Sequence, residues 1–288
     1  MGFVDIAMSL EKEGTNHNIG GYFEIEKLNY EEFNKIFYER AVLQLRKLRQ
    51  IRKRILGVYY WKDVDINLAK QQIIKCKEKL TNENQVRDYL CKLINEEMNI
   101  NLPPWEFYLI EDYSPKSSML ITRIHHSFTD GAGFVSLMSF LNDEKFMAKN
   151  TKSIPKYGIF MVILQWIMTP IFSIYVLLST KSFKTDNIAA KIREVSGEEN
   201  FKSKFLSAEE IPFDSIRKCY KKHNGATFND YVLATLSTSL NDWYQQNNVK
   251  GANHIKIALP VNFRSLPTSI KDLKIDNNTV IVKLQFPI

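Results

Sequence analysis

The stretch from Met119 to His126 has the two-residue periodicity of a β-strand, and the spacing changes after Gly131 to that of a helix. Successive side chains of a strand point to opposite faces. One face therefore carries Leu120, Thr122, Ile124 and His126, and the other carries Met119, Ile121, Arg123 and His125. From Gly131 onward the apolar residues recur at helical spacing, at Phe134, Leu137, Met138 and Leu141. A strand followed directly by a helix predicts a mixed α/β fold.

Other segments of the 288-residue chain show the same two periodicities. Apolar residues at helical spacing predict helices at 30–56, 83–98 and 227–246. Alternation of apolar and polar residues predicts strands at 254–263 and 279–286. The chain is 44% hydrophobic and 25% charged, which is ordinary for a globular protein and excludes a largely disordered chain. Its length suits one large domain or two lobes.

The helix predicted at 30–56 begins after Asn29, which can cap it together with Glu32, and its second half is strongly basic. The cations of that half are Arg46, Lys47, Arg49, Arg52, Lys53 and Arg54. Such a run is most often a solvated helix face, while a phosphate or membrane-surface patch is the main alternative. The net charge of +7 suits nucleic acid, anionic lipid or coenzyme A. No nucleic-acid-binding motif accompanies the charge, so we expect no nucleic-acid partner.

The cysteines and the N-terminus bear on the compartment. Cys76, Cys91 and Cys219 are odd in number and form no metal-binding spacing, which favours a reducing compartment. Residues 1–10 lack the basic region and long apolar run of a signal peptide. Met1-Gly2 would suit myristoylation, but Ile6 stands where that motif has Ser or Thr.

Residues 158–180 contain no charged side chain. Such a length is sufficient to cross a bilayer core of about 30 Å. Lysines flank the segment on both sides, so its orientation is not indicated. Pro170 in the middle would kink a spanning helix, which keeps a buried helical hairpin and an interfacial segment as alternatives. We expect membrane contact through this segment.

His125-His126-Ser127-Phe128-Thr129-Asp130-Gly131 contains the residues best suited to chemistry. Strand alternation sends the two histidines to opposite faces, so only one can face a given pocket. A neutral imidazole can take the proton of an alcohol that attacks a thioester. Gly131 would let backbone approach a ligand, and helix N–H groups could stabilise an oxyanion. The alternative is that both histidines only pack and that Asp130 only caps the helix.

The same segment resembles the HHxxxDG signature of coenzyme A-dependent acyltransferases and of peptide-synthetase condensation domains. The likeness is greatest to the wax ester synthase/diacylglycerol acyltransferase family, because further segments resemble that family in order. These are Met1-Gly2-Phe3-Val4-Asp5 with Asn18-Ile19-Gly20-Gly21, Pro104-Trp105-Glu106, Thr227-Phe228-Asn229-Asp230, and Pro260-Val261-Asn262-Phe263-Arg264 with Asn277-Asn278. The element of that family is Pro-Leu-Trp-Glu, and Pro103 stands in the place of its leucine.

The resemblance implies an α/β fold of two lobes like that of chloramphenicol acetyltransferase, with mixed sheets, flanking helices and a tunnel between the lobes. Residues 1–150 would form the lobe that carries HHxxxDG, residues 151–184 a membrane-associating segment, and residues 185–288 part of a second lobe. Family members are usually much longer, so the second lobe is expected to be incomplete.

The resemblance also assigns roles to matching positions. His126 is the implied general base, beside His125 and Gly131 of the motif. Asp130 would be structural and would pair with Arg264. Asn229 and Asp230 would support the site, or Thr227 and Asn229 would simply cap a helix. Trp105 and Glu106 would serve packing or the acceptor channel.

The implied reaction is transfer of an acyl group from acyl-CoA, as cosubstrate, to diacylglycerol or a long-chain alcohol. The products would be triacylglycerol or wax esters. We expect no bound cofactor and no metal, and we expect action at an intracellular membrane such as the endoplasmic reticulum, with the plasma membrane as the alternative. A non-catalytic membrane-associated binding protein and a soluble acyltransferase for a polar small molecule are the competing hypotheses. The sequence does not indicate an oligomeric state.

Overall fold

The computed structural model describes most of the chain in two compact units. The described residues are 1–10, 16–142, 158–161, 163–164, 166–168, 191–192, 194–195, 197, 205–206, 208–250, 254–262, 264, 267 and 269–287. The first unit comprises Met1–Lys152, Lys202–Phe205 and Asn262–Thr279. The second comprises Ser153–Phe201, Leu206–Val261 and Val280–Ile288. The domain boundaries predicted above stay predictions.

A four-stranded sheet in the order β1-β6-β5-β4 organises the first unit. Its strands are β1 (Asn18–Glu26), β4 (Ile73–Lys75), β5 (Trp105–Ile110) and β6 (Ser117–His125). β6 pairs antiparallel with both β1 and β5, and β4 pairs parallel with β5. The helices of this unit are α1 (Phe3–Ser9), α2 (Tyr30–Phe37), α3 (Ile66–Lys70), α4 (Glu83–Asn95) and α5 (Gly131–Leu141).

The two faces of this sheet pack against two separate hydrophobic clusters. Leu120 and Ile124 of β6 lie in the first cluster, with Trp105 and Phe107 of β5. The odd-numbered positions of β6 face the other way, as Met119 and Ile121 lie in the second cluster, beneath α4. Every residue of β5 and β6 is buried, as expected for central strands covered on both faces. Of the alternation predicted for residues 119–126, the part at 119–124 is therefore confirmed, whereas β6 ends at His125 and His126 lies outside the strand.

The prediction of one helix over 30–56 is wrong beyond its first turns. The predicted cap is present, because Asn29 and Glu32 form a capping box at the start of α2. The chain then passes through a π-helix at Tyr38–Val42 and a 3₁₀-helix at Arg46–Arg49. It becomes extended at β2 (Gln50–Ile55), which pairs with β3 (Val58–Asp63).

The apolar spacing hid this ending, because Leu45 and Leu48 are buried at helical intervals even though the backbone at Leu45 is already extended. Since the helix has ended, the carbonyl of Leu48 is free to accept a hydrogen bond from the indole of Trp105 at 3.0 Å. The hairpin turn that follows has positive φ at Leu56 (49°) and Gly57 (84°), the signs that a type I′ turn requires.

The remaining predicted elements agree with the structure closely. The helix predicted at 83–98 is α4, and Asn82 caps it. The second unit contains α6 (Phe213–Tyr220), α7 (Phe228–Gln246), β7 (His254–Asn262) and β8 (Thr279–Pro287), the two strands forming one sheet. The helix predicted at 227–246 and both strands are therefore confirmed.

The apolar segment 158–180 is described only in part. Its described residues 158–161, 163–164 and 166–168 include short helical stretches, and residues 169–180 lie outside the described residues. Within the described part of the chain, no helix has the length and apolar character needed to cross a bilayer. The expectation of membrane contact through this segment stays a prediction.

The close contact of β1 with β6 generates a test of the sheet. A Cβ added at Gly20 would lie 2.7 Å from the backbone oxygen of Thr122 and 2.7 Å from Leu90 Cδ1, whereas one added at Gly21 would meet nothing nearer than 3.9 Å. We expect Gly20→Ala to lower the free energy of unfolding by about 1–3 kcal/mol, because β1 must move away from β6 and α4 to make room for the methyl group. Gly21→Ala is the matched control in urea unfolding. Equal effects of the two substitutions would contradict this packing.

Candidate active site

The turn between β6 and α5 holds His126 by its backbone. The N–H of His126 donates to the carbonyl of His17 at 2.8 Å. Its carbonyl accepts from Asn277 Nδ2, also at 2.8 Å. Because the backbone is fixed from both sides, the position of the imidazole depends on residues distant in sequence.

His125 is committed to the core. It is 1% exposed, and its Nε2 lies 2.8 Å from Arg52 Nη1 while its Nδ1 lies 2.8 Å from Ser127 Oγ. The Arg52 guanidinium lies near both ring nitrogens, and the N–H of Ser127 donates to Nδ1 at 3.1 Å. These contacts hold His125 as a structural residue of the core. Arg52, which the sequence placed on an exposed basic face, is instead buried at 8% exposure.

The side chain of His126 is not committed in this way. His126 is half-buried, and its Nδ1 is shielded from solvent without a hydrogen-bond partner in the described part of the chain. Asp130 does not orient the ring, because the partners of both its carboxylate oxygens lie elsewhere. Within HHxxxDG, His126 is thus the histidine whose Nδ1 is not held by a hydrogen bond to the described residues.

Asp130 is the centre of an ion-pair and hydrogen-bond cluster. Arg264 donates to it with both terminal nitrogens, Nη1 to Oδ1 and Nη2 to Oδ2, each at 2.9 Å. The predicted pairing of these two residues is therefore present, with both side chains less than 10% exposed. Asp130 also caps α5 by accepting from the N–H of Gly133 at 2.9 Å. The N–H of Asn278 and the hydroxyl of Thr279 complete its shell.

These contacts determine the charge of Asp130. Burial alone would raise the pKa of the carboxyl group. The hydrogen bonds from Arg264, Thr279, Gly133 and Asn278 outweigh burial and lower the pKa from 3.8 to about 2. Asp130 is therefore an anion at neutral pH with its oxygens already occupied, which suits a structural anchor and not an acid or base.

The anchored segment carries Asn277 to the site. Arg264 contacts Asp276 as well as Asp130, and the following Asn277 reaches the carbonyl of His126. The same Nδ2 of Asn277 donates to Asp5 Oδ1 at 2.8 Å, across 272 residues of sequence. In the sequence, Asp5 and Asn277 are notable only as parts of the segments that resemble the family. Nothing in the sequence indicated that they meet, because no local periodicity links positions so far apart.

Asp5 belongs to a buried group that also includes one of the basic residues. Asp5 is 4% exposed and accepts from the indole nitrogen of Trp61 at 3.3 Å. Lys47 lies 3.5 Å from the centre of the Trp61 ring and 4.0 Å from Asp5 Oδ2. Burial lowers the pKa of Lys47 to about 8, although the charges of Asp5 and Asp276 oppose the shift. Lys47 therefore packs beneath the site and is not part of a solvated face.

The other predicted site residues have local partners. Trp105 is fully buried, and Glu106 Oε2 forms an ion pair with Arg123 at 2.6 Å. In the second unit, Thr227 caps α7 and accepts from the N–H of Asp230, whose carboxylate accepts in return. Asn229 lies in the first turn of that helix. Gly131, at the exposed start of α5, has open space around it.

The fold is shared with solved structures of acyl-transferring domains. The first condensation domain of the calcium-dependent antibiotic synthetase superposes with a TM-score of 0.64 at 13% identity, over 99% of this chain and 68% of that one. A wax ester synthase/diacylglycerol acyltransferase from Marinobacter aquaeolei VT8 superposes with a TM-score of 0.52 at 15% identity, over 87% of this chain and 62% of that one. The chain thus has the mixed α/β fold of the chloramphenicol acetyltransferase-like class.

Sequence comparison shows a more specific likeness within that class. The model of the wax ester synthase/diacylglycerol acyltransferase catalytic domain matches residues 30–158, which include the HHxxxDG segment. Wax ester synthase/diacylglycerol acyltransferase 3 of Arabidopsis thaliana is 25% identical over 245 residues, 75% of this chain and 50% of the relative. Residues 30–158, fewer than half of the 288 residues of the chain, are therefore similar to this catalytic domain.

A second curated relative shows the same likeness. A probable diacylglycerol O-acyltransferase of Mycobacterium tuberculosis is 22% identical over 228 residues, 73% of this chain and 49% of the relative. The chain therefore spans about half the length of these two curated relatives.

The ion pair at Asp130 generates a stability prediction. We expect Asp130→Asn to lower the free energy of unfolding by about 3 kcal/mol at neutral pH, because Arg264 is left buried without its counter-charge. Asp214→Asn is the matched control, since Asp214 pairs with Arg217 at 3.7 Å on an exposed surface, and there we expect little change. Chemical denaturation measures both.

The pH dependence checks the same assignment. The pKa of Asp130 is lower in the folded state than its ordinary value of 3.8, so the ionised carboxylate stabilises the protein above pH 3.8. This stabilisation is lost as the pH falls toward about 2. The stability difference between wild type and Asp130→Asn should therefore narrow across that interval. A difference that stays constant from neutral pH down to about 2 would contradict an ionised, paired Asp130.

Proposed function

We propose that the protein transfers a fatty acyl group from acyl-CoA to a lipid alcohol, either diacylglycerol or a long-chain alcohol. The single observation that carries the proposal is the contrast within the motif. The side chains of His125 and Asp130 are held by partners within the protein. The backbone of His126 is held as well, but Nδ1 of its imidazole has no hydrogen-bond partner in the described residues. The likeness of residues 30–158 to the wax ester synthase/diacylglycerol acyltransferase catalytic domain supports the acyl transfer, and the names of the curated relatives support these acceptors.

The proposed reaction is direct transfer in a ternary complex. His126 accepts the proton of the acceptor hydroxyl as its oxygen attacks the thioester carbonyl. The tetrahedral intermediate then expels the thiolate of coenzyme A, which takes the proton from the imidazolium. An ester and free coenzyme A are the products, and the protein is returned to its starting state. No covalent acyl-enzyme is required.

Acyl-CoA is the proposed cosubstrate, and no resident cofactor is proposed. A starter condensation domain of rhizomide synthetase in complex with C8-CoA shares the fold, with a TM-score of 0.56 at 11% identity, over 94% of this chain and 61% of that one. The net charge of +7 also suits the phosphates of coenzyme A. Diacylglycerol and long-chain alcohols reside in bilayers, so we place the reaction at an intracellular membrane such as the endoplasmic reticulum.

The decisive substitution is His126→Ala. We expect loss of at least about 100-fold in ester formation from acyl-CoA and diacylglycerol or a long-chain alcohol, because general-base catalysis contributes on this scale. Release of coenzyme A and the appearance of neutral lipid are the two readouts. His223→Ala is the matched control, an exposed histidine of the second unit that should keep wild-type activity.

Two outcomes would refute the proposed function. Ester formation equal to wild type with His126→Ala would show that His126 is not the base. Binding of acyl-CoA without turnover by the wild-type chain would favour a non-catalytic binding protein.

Asn277 provides a test of positioning that is separate from the chemistry. We expect Asn277→Ala to lower kcat by about tenfold or more with little change in KM, because the carbonyl of His126 loses its donor and the imidazole shifts. Asn247→Ala is the control, since the Asn247 amide donates to the carbonyl of Trp243, four residues earlier on the same helix. An unchanged kcat for Asn277→Ala would show that this contact does not position the base.

A further inference from the structure

The hairpin formed by β2 and β3 ends in an exposed apolar tip. Ile55 is 58% exposed, Leu56 is 99% exposed and Val58 is 65% exposed. We call these three residues the hairpin tip. They lie at the turn, and Leu56, the first central residue of the turn, has a φ of 49°. Asparagine and glycine are the usual residues at that position, because a larger side chain is strained in the left-handed region. Leu56 is therefore unfavourable for the turn and packs against almost nothing in the folded chain.

Charge and aromatic residues follow directly behind the tip. The thirteen residues from Gln50 to Lys62 contain four cations, Arg52, Lys53, Arg54 and Lys62, and no carboxylate. Arg52 is buried on His125, which leaves three cations along the outer hairpin. Tyr59, Tyr60 and Trp61 form a consecutive aromatic run on β3. The nearest acidic residue at the hairpin base, Asp63, is neutralised by Arg46, which binds it at 2.5 Å.

We propose that the hairpin tip inserts into the surface of an anionic phospholipid bilayer. The order of residues along the hairpin matches the layers of such a surface. The apolar tip would enter the acyl-chain boundary, and Arg54, which pairs with Tyr59 next to the tip, would lie at the level of the lipid phosphates. Tyrosine is enriched at that same boundary, because its ring is amphipathic, and Tyr59 and Tyr60 lie close to the tip on β3. Charge complementarity selects a lipid surface as the occupant over a second copy of this basic chain.

The proposal goes beyond the proposed reaction and does not depend on it. Vesicle binding needs neither acyl-CoA nor a competent His126, so failure of either proposal leaves the other intact. The hairpin is also distinct from the apolar segment 158–180, which lies in the second unit.

Cosedimentation of the full chain with vesicles tests the tip. Binding to vesicles of phosphatidylcholine and phosphatidylserine should exceed binding to phosphatidylcholine alone. Leu56→Asn should lower binding by about tenfold while the fold is retained, because asparagine fits the turn better than leucine. Leu206→Asn is the matched control, a leucine of the second unit that is 94% exposed. Equal binding by Leu56→Asn and wild type would overturn the proposal.

The cations are tested in the same assay. We expect Arg54→Gln to lower binding by about fivefold at low salt, and Lys62→Gln, at a residue three pairs farther from the tip, to lower it less. Lys116→Gln, at an exposed lysine of the first unit, should have a smaller effect. If all three substitutions have the same effect, binding reflects only the net charge and the proposed orientation is wrong.

Fluorescence locates the tip directly. Leu56→Trp adds one indole to the four native tryptophans. On vesicles with brominated acyl chains, its emission should be quenched by a larger fraction than that of wild type or of Leu206→Trp. An equal quenched fraction in the three proteins would show that the tip remains in water. Loss of self-association in Leu56→Asn, with vesicle binding unchanged, would identify the tip as a protein contact and would also overturn the proposal.

Discussion

The ion pair between Asp130 and Arg264 is the interaction on which the candidate site depends. Asp130 caps α5 at the end of the motif, and Arg264 comes from a segment 134 residues later. Two buried charges persist in a protein only when each is paired and hydrogen-bonded. Both conditions are met here, because four different residues donate to Asp130. The pair thereby fixes where the segment from Arg264 to Thr279 runs within the first unit.

Because Arg264 fixes the position of this segment, the polar residues of HHxxxDG have different roles. Asp130 holds the distant segment, and the segment brings Asn277 to the carbonyl of His126. His125 holds the strand end in the core through Arg52 and Ser127. The three polar side chains of the motif thus have three different functions, and only the ring of His126 is left without an internal partner in the described residues. A carboxylate with a pKa of about 2 would be a poor base, which is consistent with this division.

Local pattern predicted the elements that a local cause produces. Alternation along β6, the capping box at Asn29 and the apolar faces of α4 and α7 are all short-range features, and each is present in the structure. The end of α2 was not predictable in this way, because buried leucines continue at helical spacing after the helix has stopped. For the same reason the basic run was placed on one exposed face, although the structure divides it between the core and a hairpin.

The site was predictable only where family resemblance replaced local pattern. His126, Asp130 and the Arg264 pairing came from matching positions, whereas the Asp5–Asn277–His126 chain of contacts did not. The sheet and the ion pair between Asp130 and Arg264 bring these three residues together, although they are far apart in the sequence. Residue periodicity carries no information at that distance.

The assignment of the reacting group rests on one contrast, between a structural carboxylate and an uncommitted imidazole. Ester formation per folded molecule, measured for Asp130→Asn and His126→Ala under conditions in which both are largely folded, tests it most directly. The account predicts that the folded fraction of Asp130→Asn retains measurable turnover, whereas His126→Ala is stable and inactive. A stable, inactive Asp130→Asn together with an active His126→Ala would contradict it.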